Sequence, residues 1–348
     1  MTGVELTVAY VLAFLTPLLA TSLLTPAASW VAHRFGMLDH PSEDRHHANA
    51  TPYLGGIAVA IGLALVASFS ASASGQLLTI LGGGIALMLV GLVDDRRGVG
   101  PITKVLVQVA AACALWLAGV RAGMFGVEIL DLALTIFWVV AITNAVNLLD
   151  NMDGLAAGVA AIASLTYFAI AASQGDYLVG SFALGLAGAS VGFLRHNFPP
   201  ARIFLGDAGS LMLGFLLAAL ALKLDLVGAS GVVRTAVPVL ILGVPVFDTI
   251  LVIISRSRAG TPIYQGGTDH SSHRLTDIGF TARGVALATY AAQATACATA
   301  LFIVEAGDTA ALIALCLSVV VGGVGLFLFL TVHRTAPVVT EDPVDTPE

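Results

Sequence analysis

Residues 91–108 read GLVDDRRGVGPITKVLVQ. An apolar run ends in two adjacent carboxylates, Asp94 and Asp95, then two arginines, and apolar sequence resumes at Ile102. The same alternation continues in both directions. Polar islands stand at 40–56 (HPSEDRHHANATPYLGG), 147–154 (NLLDNMDG), 195–210 (RHNFPPARIFLGDAGS) and 256–275 (RSRAGTPIYQGGTDHSSHRL). They interrupt the apolar stretches only at every second gap. If each stretch crosses a bilayer once, alternate gaps face the same side, and all five islands converge on one membrane face.

Composition agrees. Of 348 residues, 57% are hydrophobic and 11% charged, and the mean hydropathy is +0.94. Soluble domains carry about 25% charged residues, so a water-soluble globule is excluded. A span needs roughly 20 apolar residues. Eleven stretches qualify: 4–27, 54–71, 77–93, 102–119, 129–149, 155–172, 177–194, 211–226, 232–254, 285–304 and 310–332. In hydrocarbon every backbone amide must be bonded within the protein, so each stretch is expected to be helical. The expected fold class is all-α, a polytopic membrane helical bundle of about eleven transmembrane helices. It forms a single domain over residues 1–334, and 335–348 reads as a Pro-rich, acidic, disordered tail. Glu5 opens the first stretch with no basic leader before it, which favours a retained span over a cleaved signal.

With gaps numbered from the first span, the odd gaps and the tail hold 12 of the 15 Lys and Arg residues. The excess of cations in cytoplasmic loops then places the odd gaps inside, the N-terminus outside and the C-terminus in the cytoplasm. The expected location is the cell (inner or plasma) membrane. The net charge of −7 comes from the tail and the island carboxylates and argues for no nucleic-acid partner. Cys113, Cys297 and Cys316 lie inside apolar stretches, as buried reduced thiols would, with no disulfide or zinc spacing. No GxxxxGK[ST] motif occurs, and the glycines at 82–84 sit mid-span, which argues against a P-loop ATPase.

Each island has a bland reading and a chemical one. Asp94 and Asp95 are either a solvated helix end beside Arg96 and Arg97 or a pair that binds a divalent cation or shares a proton. Two acids at a helix C-terminus oppose its dipole, which favours the second. Asn144, Asn147, Asp150 and Asp153 recur every three residues and share a face if the helix continues, as nucleobase, ribose or sugar recognition needs. A polar helix end is the alternative, but so many polar groups beside a bilayer are costly without partners. Asp207, between Gly206 and Gly209, is either an N-cap or a holder of Mg2+ against a diphosphate at an anion-favouring helix start. His270 and His273 with Arg274 suit phosphate better than zinc, since no HExxH or full ligand set is present; inert loop histidines are the alternative. Arg45 and His47 would meet a lipid or nucleotide phosphate, or merely anchor the chain. Asp248, inside the ninth stretch, is equally a functional carboxylate or a structural hydrogen-bond acceptor. Together these groups are what Mg2+-assisted phosphoryl transfer requires.

With those motifs assembled, the chain resembles the polyprenyl-phosphate N-acetylhexosamine-1-phosphate transferases (glycosyltransferase family 4 type), and more distantly phospho-MurNAc-pentapeptide transferase. The resemblance runs from Asp39 to about Leu275 and rests on GLVDDRRGVGPITKVLVQ, NAVNLLDNMDGLA and FLGDAGSLMLG. It implies ten or eleven helices and a cytoplasmic active site. The implied reaction joins polyprenyl phosphate to the β-phosphate of a UDP-N-acetylhexosamine, most simply UDP-GlcNAc, and releases UMP. Mg2+ is the implied cofactor, with Mn2+ as the alternative. The implied partners are UDP-N-acetylhexosamine, polyprenyl phosphate, membrane lipid and a second copy in a homodimer.

By motif position, Asp94 or Asp95 is implied as base or nucleophile, and Asp207 as metal ligand, with Asp94 and Asn147 beside it. Asn147, Asp150 and Asp153 match the nucleotide-contacting stretch, Phe204 a uracil-stacking position, and Lys104 and Gln108 the positions after the Asp pair. His270 and His273 fall among the catalytic positions, and Arg45, His47 and Arg274 among those that bind substrate. The first island has Asp44 and Arg45 where the family has Arg-Lys. The family's HxHH reads His270-Ser271-Ser272-His273, and Asn151 stands where the pentapeptide-sugar enzymes have Gly. These departures favour a GlcNAc-1-phosphate type. The rivals are the pentapeptide-sugar transferase, a secondary transporter with midplane charges and an inactive scaffold.

Overall fold

The computed structural model describes residues 3–40, 50–69, 75–226, 230–263 and 267–331. Arg45, His47 and the 335–348 tail lie outside the described residues. The helices are α1 (Gly3–Arg34), α2 (Gly55–Phe69), α3 (Gly75–Arg97), α4 (Pro101–Leu117), α5 (Glu128–Leu149), α6 (Leu155–Ser173) and α7 (Tyr177–Asn197). They continue as α8 (Gly206–Lys223), α9 (Gly231–Ile241), α10 (Gly243–Ala259), α11 (Ser271–Asp277), α12 (Ala282–Glu305) and α13 (Asp308–Thr331). A two-residue antiparallel ladder, β1 (Leu38–Asp39) with β2 (Thr51–Pro52), joins α1 to α2. The fold is an all-α polytopic bundle. Among the described residues, eight helices are long and apolar enough to cross a membrane, α9 and α10 form a bent pair, and α2 and α4 are shorter apolar helices.

The bundle is organised around α8. Every residue from Ala208 to Ala221 is buried, as an all-round apolar helix requires. It is enclosed by α3 and α5, with α2, α6 and α7 completing the sleeve. Small residues bring other pairs close: at Gly188 and Gly192 of α7 a Cβ would meet the carbonyls of Phe14 and Leu18 on α1. Outer faces carry exposed Leu23, Trp30, Leu117, Val321 and Phe327, a surface suited to lipid.

Several expectations need correction. The stretch 232–254 is not one helix: α9 and α10 meet at Leu242 with an 80° bend. Pro245 has no N–H to return to the Ile241 carbonyl, so the helical ladder stops there. The buried amide of Gln293 on α12 repairs the break, donating to Ile241 O and accepting from Val244 N at 3.3 Å. Asp94 and Asp95 lie within the last turn of α3, not after it. Helix α5 ends at Leu149, so Asp150 and Asp153 occupy a turn instead of extending one helical face. His270 and His273 do not lie in an open loop, because both are buried at the start of α11. Of the cysteines only Cys297 is buried; Cys316 is exposed on α13.

Candidate active site

The C-terminal end of α3 runs into the N-terminus of α8. The two backbones touch at Gly91, where a Cβ would stand 2.3 Å from the Asp207 carbonyl oxygen. Leu205 precedes α8 and offers no capping side chain. Asp95 supplies the cap from the neighbouring helix, accepting the Asp207 N–H at 2.8 Å and the Ala208 N–H at 3.2 Å. Gly206 has φ +73°, and a Cβ there would lie 2.7 Å from Asp95 Oδ2. Glycine is therefore required before Asp207, which sits in the first turn of α8 and not at its N-cap.

Asp94, one residue earlier, points a different way round α3. The Val99 N–H donates to its Oδ1 and Lys104 Nζ to its Oδ2 at 2.7 Å. Lys104 Nζ also lies 3.0 Å from Asp207 Oδ2, so one ammonium spans two carboxylates from different helices. Asn147, near the end of α5, donates to Asp207 Oδ1 and to Ser210 Oγ, both at 2.9 Å. One turn beyond Lys104, fully buried Gln108 pairs with Asn144, whose Nδ2 donates to Gln108 Oε1 at 2.7 Å.

Asp150 follows at the end of α5. Burial, and then the charges of Asp207, Asp95 and Asp153, hold its carboxyl well above the usual range. Asp153 accepts the Ala201 N–H at 2.8 Å. Asn197 accepts the Gly154 N–H at 3.0 Å and donates to Ile203 O at 2.9 Å. The α5–α6 turn is thus tied to the α7–α8 loop. Phe204, in that loop, donates its N–H to Pro52 O at 2.7 Å and accepts from Gly55 N at 3.0 Å.

The histidine motif docks on the same turn. Ser272 Oγ donates to Asn151 Oδ1 at 2.6 Å, and Leu275 shares an apolar cluster with Met152 and Leu149. The His270 and His273 rings lie 6.1 Å apart. Arg274 is committed to the protein: Nη1 donates to Phe329 O at 2.6 Å, Nη2 to Ser255 Oγ at 2.8 Å, and Nε to Asp269 O at 3.3 Å. It fastens α11 to α10 and α13.

Among the described residues no group of three or more His, Cys, Asp or Glu is arranged to hold a metal. The chemistry present is two carboxylates, Asp94 and Asp207, converging on one cation, Lys104. That suits a hard cation which takes only one or two carboxylates and completes its shell with water and phosphate oxygens. It does not suit a resident zinc. Asn147 has committed its amide nitrogen, so only its carbonyl oxygen remains for a metal.

Of the expected site residues, Asp94, Asp95, Lys104, Asn147, Asp150 and Asp207 come together. Asp153 and Phe204 sit at the adjoining loop, and His270 and His273 beyond the Asn151–Ser272 contact. The sequence reading missed Ser210 as the partner of Asn147 and Asn197 as the tie between loops. Both stand inside islands, but nothing in the one-dimensional pattern marks them off from neighbouring polar residues.

Carboxylates and a lysine are gathered at helix ends of an apolar bundle, and comparison with known proteins shows the class. The profile of the family described as glycosyl transferase family 4 matches residues 77–225. The chain is 35% identical to the probable undecaprenyl-phosphate N-acetylglucosaminyl 1-phosphate transferase of Bacillus subtilis, over 80% of this chain and 81% of that protein. It is 34% identical to the decaprenyl-phosphate N-acetylglucosaminephosphotransferase of Mycobacterium tuberculosis, over 79% and 78%. Similarity to the phospho-N-acetylmuramoyl-pentapeptide-transferase of Limosilactobacillus fermentum is 37% identity over 50% of this chain and 60% of that one. The chain belongs to glycosyl transferase family 4 and is a multi-pass membrane enzyme.

Proposed function

We propose that this enzyme transfers N-acetylglucosamine 1-phosphate from UDP-GlcNAc to a polyprenyl phosphate at the cytoplasmic face of the cell membrane. An oxygen of the lipid phosphate attacks the β-phosphorus, the bond between the two phosphates breaks, and UMP leaves. The observation that carries this reading is the convergence of Asp94 and Asp207 on Lys104. It is supported by 34–35% identity to two relatives named for this transfer. The excess of Lys and Arg in the island gaps supports the cytoplasmic placement.

Asp207 and Asp94, with the Asn147 carbonyl, would hold Mg2+. When bound, that ion neutralises charge on the diphosphate. Asp95 keeps Asp207 in place by capping α8 and has both oxygens occupied. Asp94 Oδ2, which Lys104 Nζ reaches at 2.7 Å, is the oxygen that would accept the proton of the lipid phosphate. Lys104 then contributes a positive charge to the phosphate oxygens, where positioning and neutralisation do most of the work of phosphoryl transfer. Asn147, Asp150, Asp153 and Phe204 would contact the nucleotide.

The test is a transfer assay with purified protein in detergent, polyprenyl phosphate, Mg2+ and radiolabelled UDP-GlcNAc. Chelator-sensitive label in the lipid fraction together with released UMP is expected. Transfer from UDP-MurNAc-pentapeptide instead would move the enzyme to the pentapeptide class. Silence with every UDP-sugar would overturn the transferase reading for this chain.

A further inference from the structure

Asp248 lies on α10, well inside an apolar helix, and is 1% exposed. A carboxylate in such a place is costly unless its oxygens are satisfied. Here both are. Oδ2 faces His270 Nδ1 at 2.7 Å, and Oδ1 accepts Ser271 N–H at 2.7 Å and Ser271 Oγ–H at 2.6 Å. The three partner groups belong to His270 and Ser271, the N-cap and the first residue of α11, so one buried acid holds the start of the histidine motif.

The contact with His270 has a chemical consequence. A carboxylate bonded to Nδ1 requires the proton to sit there, which fixes the tautomer and leaves Nε2 as the working nitrogen. Among the described residues Nε2 makes no hydrogen bond. His270 itself is 3% exposed, so its ring is fixed by packing as well as by charge. Its surroundings keep it beside the site: Ser272 is bonded to Asn151, the residue between Asp150 and Met152, and Leu275 packs with Met152. Nearby Asp269 is engaged by Arg256 at 3.2 Å, which leaves Asp248 as the carboxylate hydrogen-bonded to the ring.

A purely structural fastening of α11 would not need a buried charge. A neutral acceptor could take the two Ser271 hydrogen bonds at lower desolvation cost. What a carboxylate adds is a fixed tautomer and a fixed orientation of the imidazole.

We propose that Asp248 is a positioning residue that acts through His270, fixing the ring so that Nε2 faces the phosphates of the bound substrates. The proposal rests on the transferase reading given above. It predicts coupling: removing the carboxylate should matter only while the imidazole is present.

The experiment measures kcat and KM for label transfer by the full chain in detergent, using Asp248→Asn, His270→Ala and the double variant, each with its unfolding temperature. Loss of a group that orients a functional histidine typically costs about 10–100-fold. Asp248→Asn is therefore expected to lower kcat by about that factor with KM for the UDP-sugar nearly unchanged. The double variant should be no slower than His270→Ala alone, the non-additivity expected when one residue acts through another. Equal fold-losses from Asp248→Asn in both backgrounds, or wild-type kcat in the single variant, would overturn it. If the Asn variant does not assemble, Asp248→Ser, which also removes the carboxylate, carries the same cycle with the same criteria. Failure of the wild-type chain to transfer label from any UDP-sugar would instead sink the transferase reading and this proposal with it.

Discussion

Ser272 Oγ donates a 2.6 Å hydrogen bond to Asn151 Oδ1, across 121 residues of chain. These are two of the positions at which the chain departs from the motifs it resembles, and they contact each other. The bond joins α11 to the α5–α6 turn and so holds the histidine side of the site against the carboxylate side. A neutral hydrogen bond contributes about 1 kcal/mol net. Ser272→Ala and Asn151→Ala are each expected to slow transfer about fivefold or more. The pair together should cost little beyond the larger single loss; fully additive losses would show that the contact does not couple the two sides.

Lys104 neutralises two carboxylates at once. Lys104→Gln removes that charge and leaves Asp94 and Asp207 facing each other. Single electrostatic groups at such sites are worth about 10²–10³ in rate, so a loss of that order in kcat is expected. Added Mg2+ should recover part of it. Near-normal kcat at ordinary Mg2+ would show that the ammonium is not part of the reaction.

Asp207→Asn keeps the size of the side chain and its contact distance to Asn147 but removes the charge. Turnover is expected to vanish, with the unfolding temperature little changed. A variant that still transfers label at near-normal rates would sink the assignment of Asp207 as the metal-holding carboxylate.

At Gly91 the effect should be mechanical. A Cβ would sit 2.3 Å from Asp207 O and 2.4 Å from Ala208 N, both backbone atoms that cannot swing aside. Overpacking of this kind costs about 1–3 kcal/mol. Gly91→Ala is expected to lower the unfolding temperature and, because the displaced atoms belong to the Asp207 turn, to lower activity more than stability. Wild-type values of both would mean that α3 and α8 are not in backbone contact.

Asp150 gives a prediction in pH. Its folded-state pKa is raised by burial and by Asp207, Asp95 and Asp153, above an unfolded value of roughly 3.9. A raised carboxyl favours the folded state when protonated. Its contribution is full below the unfolded value and is lost as pH rises through the folded one. In chelator-treated protein, wild type should therefore lose stability relative to Asp150→Asn as pH rises above about 4. Parallel unfolding curves for the two proteins across that range would contradict the raised value.

Much of the fold was legible because lipid imposes a simple rule. Backbone amides with no water available must form helices, and within the described residues each apolar stretch overlaps a helix of the bundle, 232–254 across the bent pair α9 and α10. The missed break at Leu242 was written at Pro245, whose consequence depends on whether another residue can satisfy the freed Ile241 carbonyl. Gln293, far along the chain, does so. The site was legible as a set of residue types at helix ends. Its internal assignments were not. Nothing in the dipeptide Asp94-Asp95 says that one acid pairs with lysine while the other caps α8, because that division follows from where α8 crosses α3.

The sequence alone determined a membrane-embedded helical bundle with acids, asparagines and histidines collected at alternate gaps, since hydropathy and spacing are properties of single segments. The tertiary structure decided which acid meets Lys104, which asparagine holds Asp207, and that buried Asp248 faces His270. Those pairings depend on helix crossings and rotations, which are set by close packing between segments distant in the chain.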